Sequence, residues 1–216
     1  MSVVAIIPAY NEESTIGAVL KTLCQMKILD EIIVISDGSD DNTVAIAKNY
    51  KVRVIELAEN QGKSRAIFTG VASTNAKTIL MLDADLVGLT PEHVLALLNP
   101  VLSGDYDMSI GVFKHGRGAT DLAQKIAPYL SGQRTINREL FEKLERYHVK
   151  DYGIEMALTR IAEKDKIRVK QVELWDLTHV MKEEKRGLWI GLLSRIKMYW
   201  DVIFSAIKIR FEMLTR

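Results

Sequence analysis

Short apolar runs rich in valine and isoleucine recur along the first half of the chain, at Val3–Ile7, Glu31–Ser36, Arg53–Leu57, Thr78–Leu82 and Met108–Phe113. A strand covered on both faces reads as a continuous apolar run, and its alternation with helices is the pattern of a parallel sheet. Between the first two runs, Ile16, Val19, Leu20 and Leu23 recur at helical spacing, with Asn11 and the acidic Glu12 and Glu13 placed to cap the start. Segments 41–49 and 62–73 read as the next two helices. The chain is therefore expected to be α/β, a doubly wound and mostly parallel sheet with helices on both faces.

The 216 residues, 48% of them hydrophobic, suffice for one large core, and no linker, fixed-period repeat or low-complexity tract divides them. Beyond Phe113 the pattern turns mainly helical. Residues 138–147 and 153–164 read as helices, 167–174 as a strand and 188 to about 213 as a long final helix, while Lys114–Gly118 forms a basic, glycine-containing loop. A formal charge of +1 gives no long-range field, so nucleic acid is not an expected partner. Cys24, the single cysteine, falls in a helical pattern and is expected to be a buried thiol. Met1 and Ser2 run into the first strand without a basic region or a cleavage site, which predicts a cytoplasmic protein.

Ligands of such a sheet bind beyond the carboxyl ends of the strands. The first run ends in Pro8-Ala9-Tyr10-Asn11-Glu12-Glu13, the second in Asp37-Gly38-Ser39-Asp40-Asp41, and the fourth in Asp83-Ala84-Asp85. Two carboxylates one residue apart in a partly buried crevice repel each other unless a cation lies between them. Mg2+ or Mn2+, held there with a diphosphate completing its shell, resolves that conflict and neutralises a leaving nucleoside diphosphate.

The order and spacing of Ile7-Pro8-Ala9-Tyr10-Asn11-Glu12-Glu13, Asp37-Gly38-Ser39, Asn60-x-Gly62-Lys63 and Leu82-Asp83-Ala84-Asp85 resemble family 2 glycosyltransferases. The resemblance covers at least residues 3–87 and implies the single-domain GT-A fold of nucleotide-sugar transferases, with a metal at the Asp-x-Asp motif. It implies that Pro8, Ala9, Tyr10 and Glu12 line the nucleotide pocket and that Asp37 hydrogen-bonds the base. Gly62 and Lys63 would flank the nucleoside and phosphates, and Asp83, Ala84 and Asp85 the ribose and the metal. A carboxylate accepting an imide N–H and a lysine facing phosphate are physically reasonable partners.

In the second half, Ser131-Gly132-Gln133-Arg134-Thr135 precedes a helical segment, so Gly132, Gln133, Arg134 and Thr135 are expected to present backbone N–H groups and an arginine to an anionic acceptor. Asp151-Tyr152-Gly153-Ile154-Glu155 opens the next helix. Glu155 stands where the family carries the acid pair associated with its catalytic base, but the common Glu-Asp form of that pair is absent. His179 is a candidate third protein ligand for the metal. Gly-Gln-Arg, Tyr-Gly-Ile-Glu and a later histidine also resemble the glucosyl-3-phosphoglycerate synthase group, whose enzymes retain anomeric configuration, and there is some resemblance to polyprenyl-phosphate sugar transferases. An inverting enzyme needs a general base, for which Glu155 is the candidate; in a retaining one Glu155 would orient the acceptor or the sugar.

Residues 182–216 carry eight Lys/Arg against four Asp/Glu, a surplus of +4 with −3 in the remainder, which together give the overall +1. From Gly187 onward, polar residues at steps of three or four leave a wide apolar surface containing Leu192, Tyr199, Trp200 and Phe204. Arg195, Lys197 and Asp201 break any continuous apolar span, so the helix is amphipathic and not transmembrane. The domain plan is a transferase unit over 1–186, with a donor half to about 87 and an acceptor half from 88, followed by an amphipathic helix over 187–216. That helix packs on the body, on a second copy in a homodimer or, through residues 187–213, on the inner face of the cell membrane.

The expected activity is transfer of a hexose from a nucleotide sugar, UDP-glucose preferred, to a lipid or small phosphorylated acceptor. Two rivals stand beside it. A sugar nucleotidyltransferase shares the sheet and metal carboxylate, but it normally carries a glycine-rich basic loop after the first strand, which Pro8-Ala9-Tyr10-Asn11 is not. A non-catalytic nucleotide-sugar-binding module docking on a membrane protein would keep the pocket without turnover.

Overall fold

In the computed structural model, which describes residues 2–114, 131–145 and 153–179, the apolar runs line up as strands of one sheet. The elements are β1 (Val3–Ala9), α1 (Ile16–Leu23), β2 (Glu31–Asp37), α2 (Thr43–Ala47), β3 (Arg53–Leu57), α3 (Lys63–Ala72), β4 (Thr78–Met81), β5 (Leu86–Val87) and α4 (Pro91–Leu102). They continue with β6 (Met108–Lys114), β7 (Arg134–Asn137), α5 (Arg138–Glu145), α6 (Ile154–Lys164), β8 (Val169–Trp175) and β9 (Thr178–His179). Residues 115–118 of the basic loop, Asp151, Tyr152 and the amphipathic segment from 187 onward lie outside the described residues, as does the 186/187 boundary.

The main sheet has seven strands in the order β3-β2-β1-β4-β7-β6-β8. β1 pairs in parallel with β2 and β4, β2 with β3, and β6 with β8, whereas β7 runs antiparallel to both β4 and β6. The doubly wound, mostly parallel architecture is therefore as expected, and the ends of β2, β1 and β4 are neighbours. A separate two-stranded ladder pairs Leu86 with His179 and Val87 with Thr178.

Alternate residues of β1 enter different cores. Val3, Ala5, Ile7 and Ala9 pack with Ile16, Val19, Leu20 and Leu23 of α1 and with Val94, Leu97 and Leu98 of α4. Val4 and Ile6 pack with Ala66, Ile67 and Val71 of α3 and with Leu158 and Ile161 of α6. Burial on both faces accounts for the continuous apolar runs.

Several details differ from the sequence expectations. Cys24 is exposed at the C-cap of α1, because the helix ends at Leu23. Thr15, and not Asn11 or the acidic pair, is the N-cap of α1. Asn11 instead adopts a φ of 56° and clasps Asp40: its Nδ2 donates to Asp40 Oδ1 and its Oδ1 accepts from the Asp40 N–H. Glu13 similarly accepts from Asn42. These residues tie the loop after β1 to the loop after β2.

Candidate functional site

The turn after β2 and the loop before α3 hold each other. Asp37 is buried, and its two carboxylate oxygens accept the backbone N–H groups of Gln61 and Gly62, each at 2.8 Å. Gly38, at a φ of +70°, packs so closely on this loop that a Cβ would lie 2.6 Å from the Asn60 nitrogen. Glycine is the residue that meets both conditions without strain. The Asp37-Gly38 and Asn60-Gln61-Gly62 motifs thus form one joint, which aims Lys63 at the first turn of α3. Each Asp37 oxygen keeps a further lone pair beyond these bonds.

Past the end of β4, Asp83 meets that lysine. Lys63 Nζ lies 2.6 Å from Asp83 Oδ1 and 2.8 Å from Glu155 Oε1, so one ammonium bridges the two carboxylates. Burial alone would depress the Lys63 ammonium, but the charges of Asp83 and Glu155 and their hydrogen bonds outweigh it and raise the lysine above its ordinary value. Burial pushes the Asp83 carboxyl up, but Lys63, His179 and the hydrogen bonds from Lys63 and Gln133 bring it down to about 2. Asp83 is accordingly ionised throughout the neutral range.

Asp85 and His179 complete the cluster. His179 reaches it because β9 pairs with β5, which starts one residue after Asp85. Its Nδ1 lies 2.9 Å from Asp85 Oδ1, and the ring is braced edge-on by Phe113 at a centroid distance of 4.8 Å. Burial lowers the imidazole, but the hydrogen bond to Asp85 and the charges of Asp85 and Asp83 prevail over it and over Lys63 to raise it. One ligating atom from each of Asp83, Asp85 and His179 lies within 4.8 Å of the others. Two carboxylates and an imidazole suit a Mn2+-like divalent cation, and the Lys63 ammonium already occupies a cation's place beside Asp83. The residues present fit the metal expected from the sequence.

The nucleotide-side candidates from the first strand also gather here. Pro8 is partly buried, Ala9 buried and Tyr10 39% exposed at the end of β1, and Glu12 receives a hydrogen bond from Thr15 Oγ1. Ala84 is buried between the two aspartates.

The 131–135 segment differs from the sequence expectation. Arg134 does not open a helix; it opens strand β7, paired with Met81 of β4 and Ile110 of β6. The side chains of Gln133, Arg134 and Thr135 are fully buried and not at an open helix start. Arg134 donates to the Ser131 carbonyl at 2.8 Å and to Thr159 Oγ1 at 3.5 Å, and Thr159 in turn donates to the carbonyl of Glu155. Burial lowers the guanidinium to about 10, against a smaller upward pull from Glu155. Arg134 therefore braces the helix turn that carries Glu155. Only Gly132 remains partly exposed, and a Cβ there would lie 2.4 Å from Lys63 Nζ and 2.7 Å from Asp83 Oδ2.

Sequence reasoning missed the bond between Gln133 and Asp83 and the ring contact between Phe113 and His179. Both depend on strand pairings between distant residues, and no local pattern marks them. Among the described residues, no helix is long and apolar enough to cross a membrane.

A curated relative, the 4,4'-diaponeurosporenoate glycosyltransferase of Staphylococcus aureus (strain MRSA252), is 36% identical over 99 residues; the match covers 44% of this chain and 26% of that protein. The chain thus spans about a quarter of the length of the curated relatives it matches. Among solved structures, glucosyl-3-phosphoglycerate synthase of Mycobacterium tuberculosis with Mn2+, UDP and glucosyl-3-phosphoglycerate superposes with a TM-score of 0.66 at 26% identity, over 90% of this chain and 79% of that one. The same enzyme with Mn2+, UDP-glucose and phosphoglyceric acid gives a TM-score of 0.66 at 25% identity, over 83% and 71%. The sequence model described as glycosyl transferase family 2 matches residues 4–162, which is most of the chain, and the protein belongs to that family.

Proposed function

We propose that the protein is a metal-dependent glycosyltransferase that moves a hexose from a nucleoside diphosphate sugar, UDP-glucose first, to a phosphate-bearing or lipid acceptor. The observation that carries this reading is the convergence of Asp83, Asp85 and His179 within 4.8 Å beside the Lys63 ammonium. The solved relatives hold Mn2+ with UDP-glucose, and phosphoglyceric acid as well, which favours that donor and a phosphate-bearing acceptor. The carotenoid-acid transferase name of the curated relative keeps a lipid acceptor in view.

When bound by Asp83, Asp85 and His179, a divalent cation supplies Lewis-acid stabilisation to the departing diphosphate. The chain's own groups do the rest. Asp37, buried against the 60–62 loop, faces the base, and Pro8, Ala9, Tyr10 and Glu12, at and beyond the end of the neighbouring strand β1, line the nucleotide pocket. Lys63, the first residue of α3, offers the leaving phosphates a fixed positive charge. Glu155, held by Lys63 in front and braced by Arg134 and Thr159 behind, is the carboxylate that positions the acceptor. Gly132 leaves free the space beside Lys63 and Asp83 that a side chain would fill.

The test is incubation with Mn2+ and a panel of nucleotide sugars, with phosphorylated small acceptors or membrane lipid extract, following free nucleoside diphosphate. Release of UDP from UDP-glucose, stimulated by one acceptor class and abolished by chelation, is expected. Release of pyrophosphate from a nucleoside triphosphate and a sugar phosphate would overturn the reading in favour of nucleotidyl transfer. No release with any donor would overturn it in favour of a binding module.

A further inference from the structure

We infer that Gln133 is a positioning residue for the cation site, whose carboxamide locks both the backbone and the carboxylate of Asp83. The inference rests on the proposed function for what the site holds, but the lock itself stands on geometry. The antiparallel register of β4 and β7, with Leu80 opposite Thr135 and Met81 opposite Arg134, continues past the strand ends to bring Gln133 and Gly132 alongside Leu82 and Asp83. There the Gln133 side chain, fully buried, spends both ends on one residue. Its Oε1 accepts from the Asp83 N–H at 3.0 Å, and its Nε2 donates to Asp83 Oδ2 at 2.9 Å.

Gln133 is itself held firmly. Its carbonyl accepts from the Gly111 N–H at 2.8 Å, and its own N–H donates to Ser131 Oγ at 3.3 Å. A Cβ on Gly111 would come within 3.1 Å of the Gln133 Cβ and 2.4 Å of a Leu174 methyl, so β6 approaches this closely because residue 111 lacks a side chain. The other oxygen of Asp83 faces Lys63 Nζ. Rotation of the carboxylate is thereby stopped from both sides, while each oxygen keeps a lone pair for a further partner. A carboxylate at a strand end would otherwise sample several rotamers, and fixing it in advance removes that cost from binding.

The chemistry also explains why the residue is a glutamine. Asp83 presents one donor and one acceptor at this edge, and a carboxamide matches both. A glutamate would lose the bond to Oδ2, an asparagine is one methylene short, and methionine, closest in shape, loses both bonds. Gln133 is therefore assigned to the cation side of the site and not to acceptor contact.

The experiment compares wild type, Gln133→Met and a control, Ser109→Ala, which removes a buried hydroxyl bonded to the Leu97 carbonyl at 2.6 Å on the same sheet. Three quantities are measured: amide exchange of Asp83 by NMR, Mn2+ affinity by calorimetry and the melting temperature. In Gln133→Met, Asp83 amide exchange should accelerate about tenfold. Mn2+ affinity should fall about 10- to 100-fold. In Ser109→Ala the melting temperature falls while Mn2+ affinity stays at the wild-type level. An unchanged Mn2+ affinity in a folded Gln133→Met, or a parallel loss in Ser109→Ala, overturns the positioning role. Should Gln133→Met fail to fold, the wild-type Asp83 amide decides: slow exchange supports the lock, and free exchange overturns it. A wild type that binds no Mn2+ overturns the metal reading of the proposed function, and the amide measurement then decides the lock alone.

Discussion

His179 Nδ1 lies 2.9 Å from Asp85 Oδ1 although 94 residues separate the two in sequence. The contact is made by the short β5–β9 ladder, which sets Leu86 opposite His179. Replacing His179 by alanine removes the imidazole proposed as a ligand while leaving the ladder's backbone bonds intact. Mn2+ affinity should drop by more than the roughly 10- to 100-fold expected for loss of an outer-shell partner. Calorimetric titration of wild type and variant with Mn2+ checks this, and the thermal transition should move little.

Lys63 holds Asp83 and Glu155 together through one ammonium. Lys63→Met keeps the stem and deletes the charge, so under the proposed function a developing negative charge on the leaving diphosphate loses a preorganised partner. Turnover should fall about 10²- to 10³-fold, with kcat affected more than KM. Steady-state kinetics with saturating Mn2+ separates the two parameters.

Gly132 sits where a single methyl would meet Lys63 Nζ and both oxygens of Asp83. Lys63 is the flexible partner and can yield, whereas Asp83 is fixed by Gln133. Gly132→Ala should therefore fold, displace Lys63 from Asp83 and reduce turnover by at least about tenfold. Circular dichroism and the rate of nucleoside diphosphate release together decide it.

Stability at acid pH has a definable contributor away from the site. Asp107 accepts from the Arg168 N–H, Nε and Nη2 where β6 and β8 begin. Those hydrogen bonds, which outweigh the opposing effect of burial, and the Arg168 charge hold its carboxyl below the ordinary value of 3.8. The folded form thus binds this proton less readily than the unfolded chain. The stabilisation is complete above the unfolded value and is lost as pH falls through it toward the folded one. Urea unfolding as a function of pH should show Asp107→Asn differing from wild type near neutrality, with the difference closing below about pH 4.

The donor half was legible because its signals are local. Runs buried on both faces mark β1, β2 and β4, and Ile16, Val19, Leu20 and Leu23 mark α1; all four of these α1 side chains are buried. Asp37-Gly38 and Asn60-Gln61-Gly62-Lys63 were recognisable as motifs, although their mutual locking was not. The strand at Arg134–Asn137 escaped because it contains one aliphatic residue, Ile136, and a charged side chain at its start. The buried Arg134 guanidinium donates to the Ser131 carbonyl and to Thr159 Oγ1. The helix Pro91–Leu102 carried its own signals, Thr90-Pro91 at the start and Val94, Leu97, Leu98 and Val101 at helical spacing, and these went unread. The burial of the Gln133, Arg134 and Thr135 side chains was illegible for the same nonlocal reason: it follows from pairing with β4 and β6.

The central claim is that Asp83, Asp85 and His179 hold one divalent cation beside the leaving diphosphate. Anomalous diffraction at the manganese edge, from crystals grown with Mn2+ and UDP, tests it most directly. The account predicts a single strong peak bonded to Asp85 and His179, with Asp83 alongside and the diphosphate on the peak's open side. A manganese peak elsewhere, or UDP bound with no peak among these three residues, would contradict it.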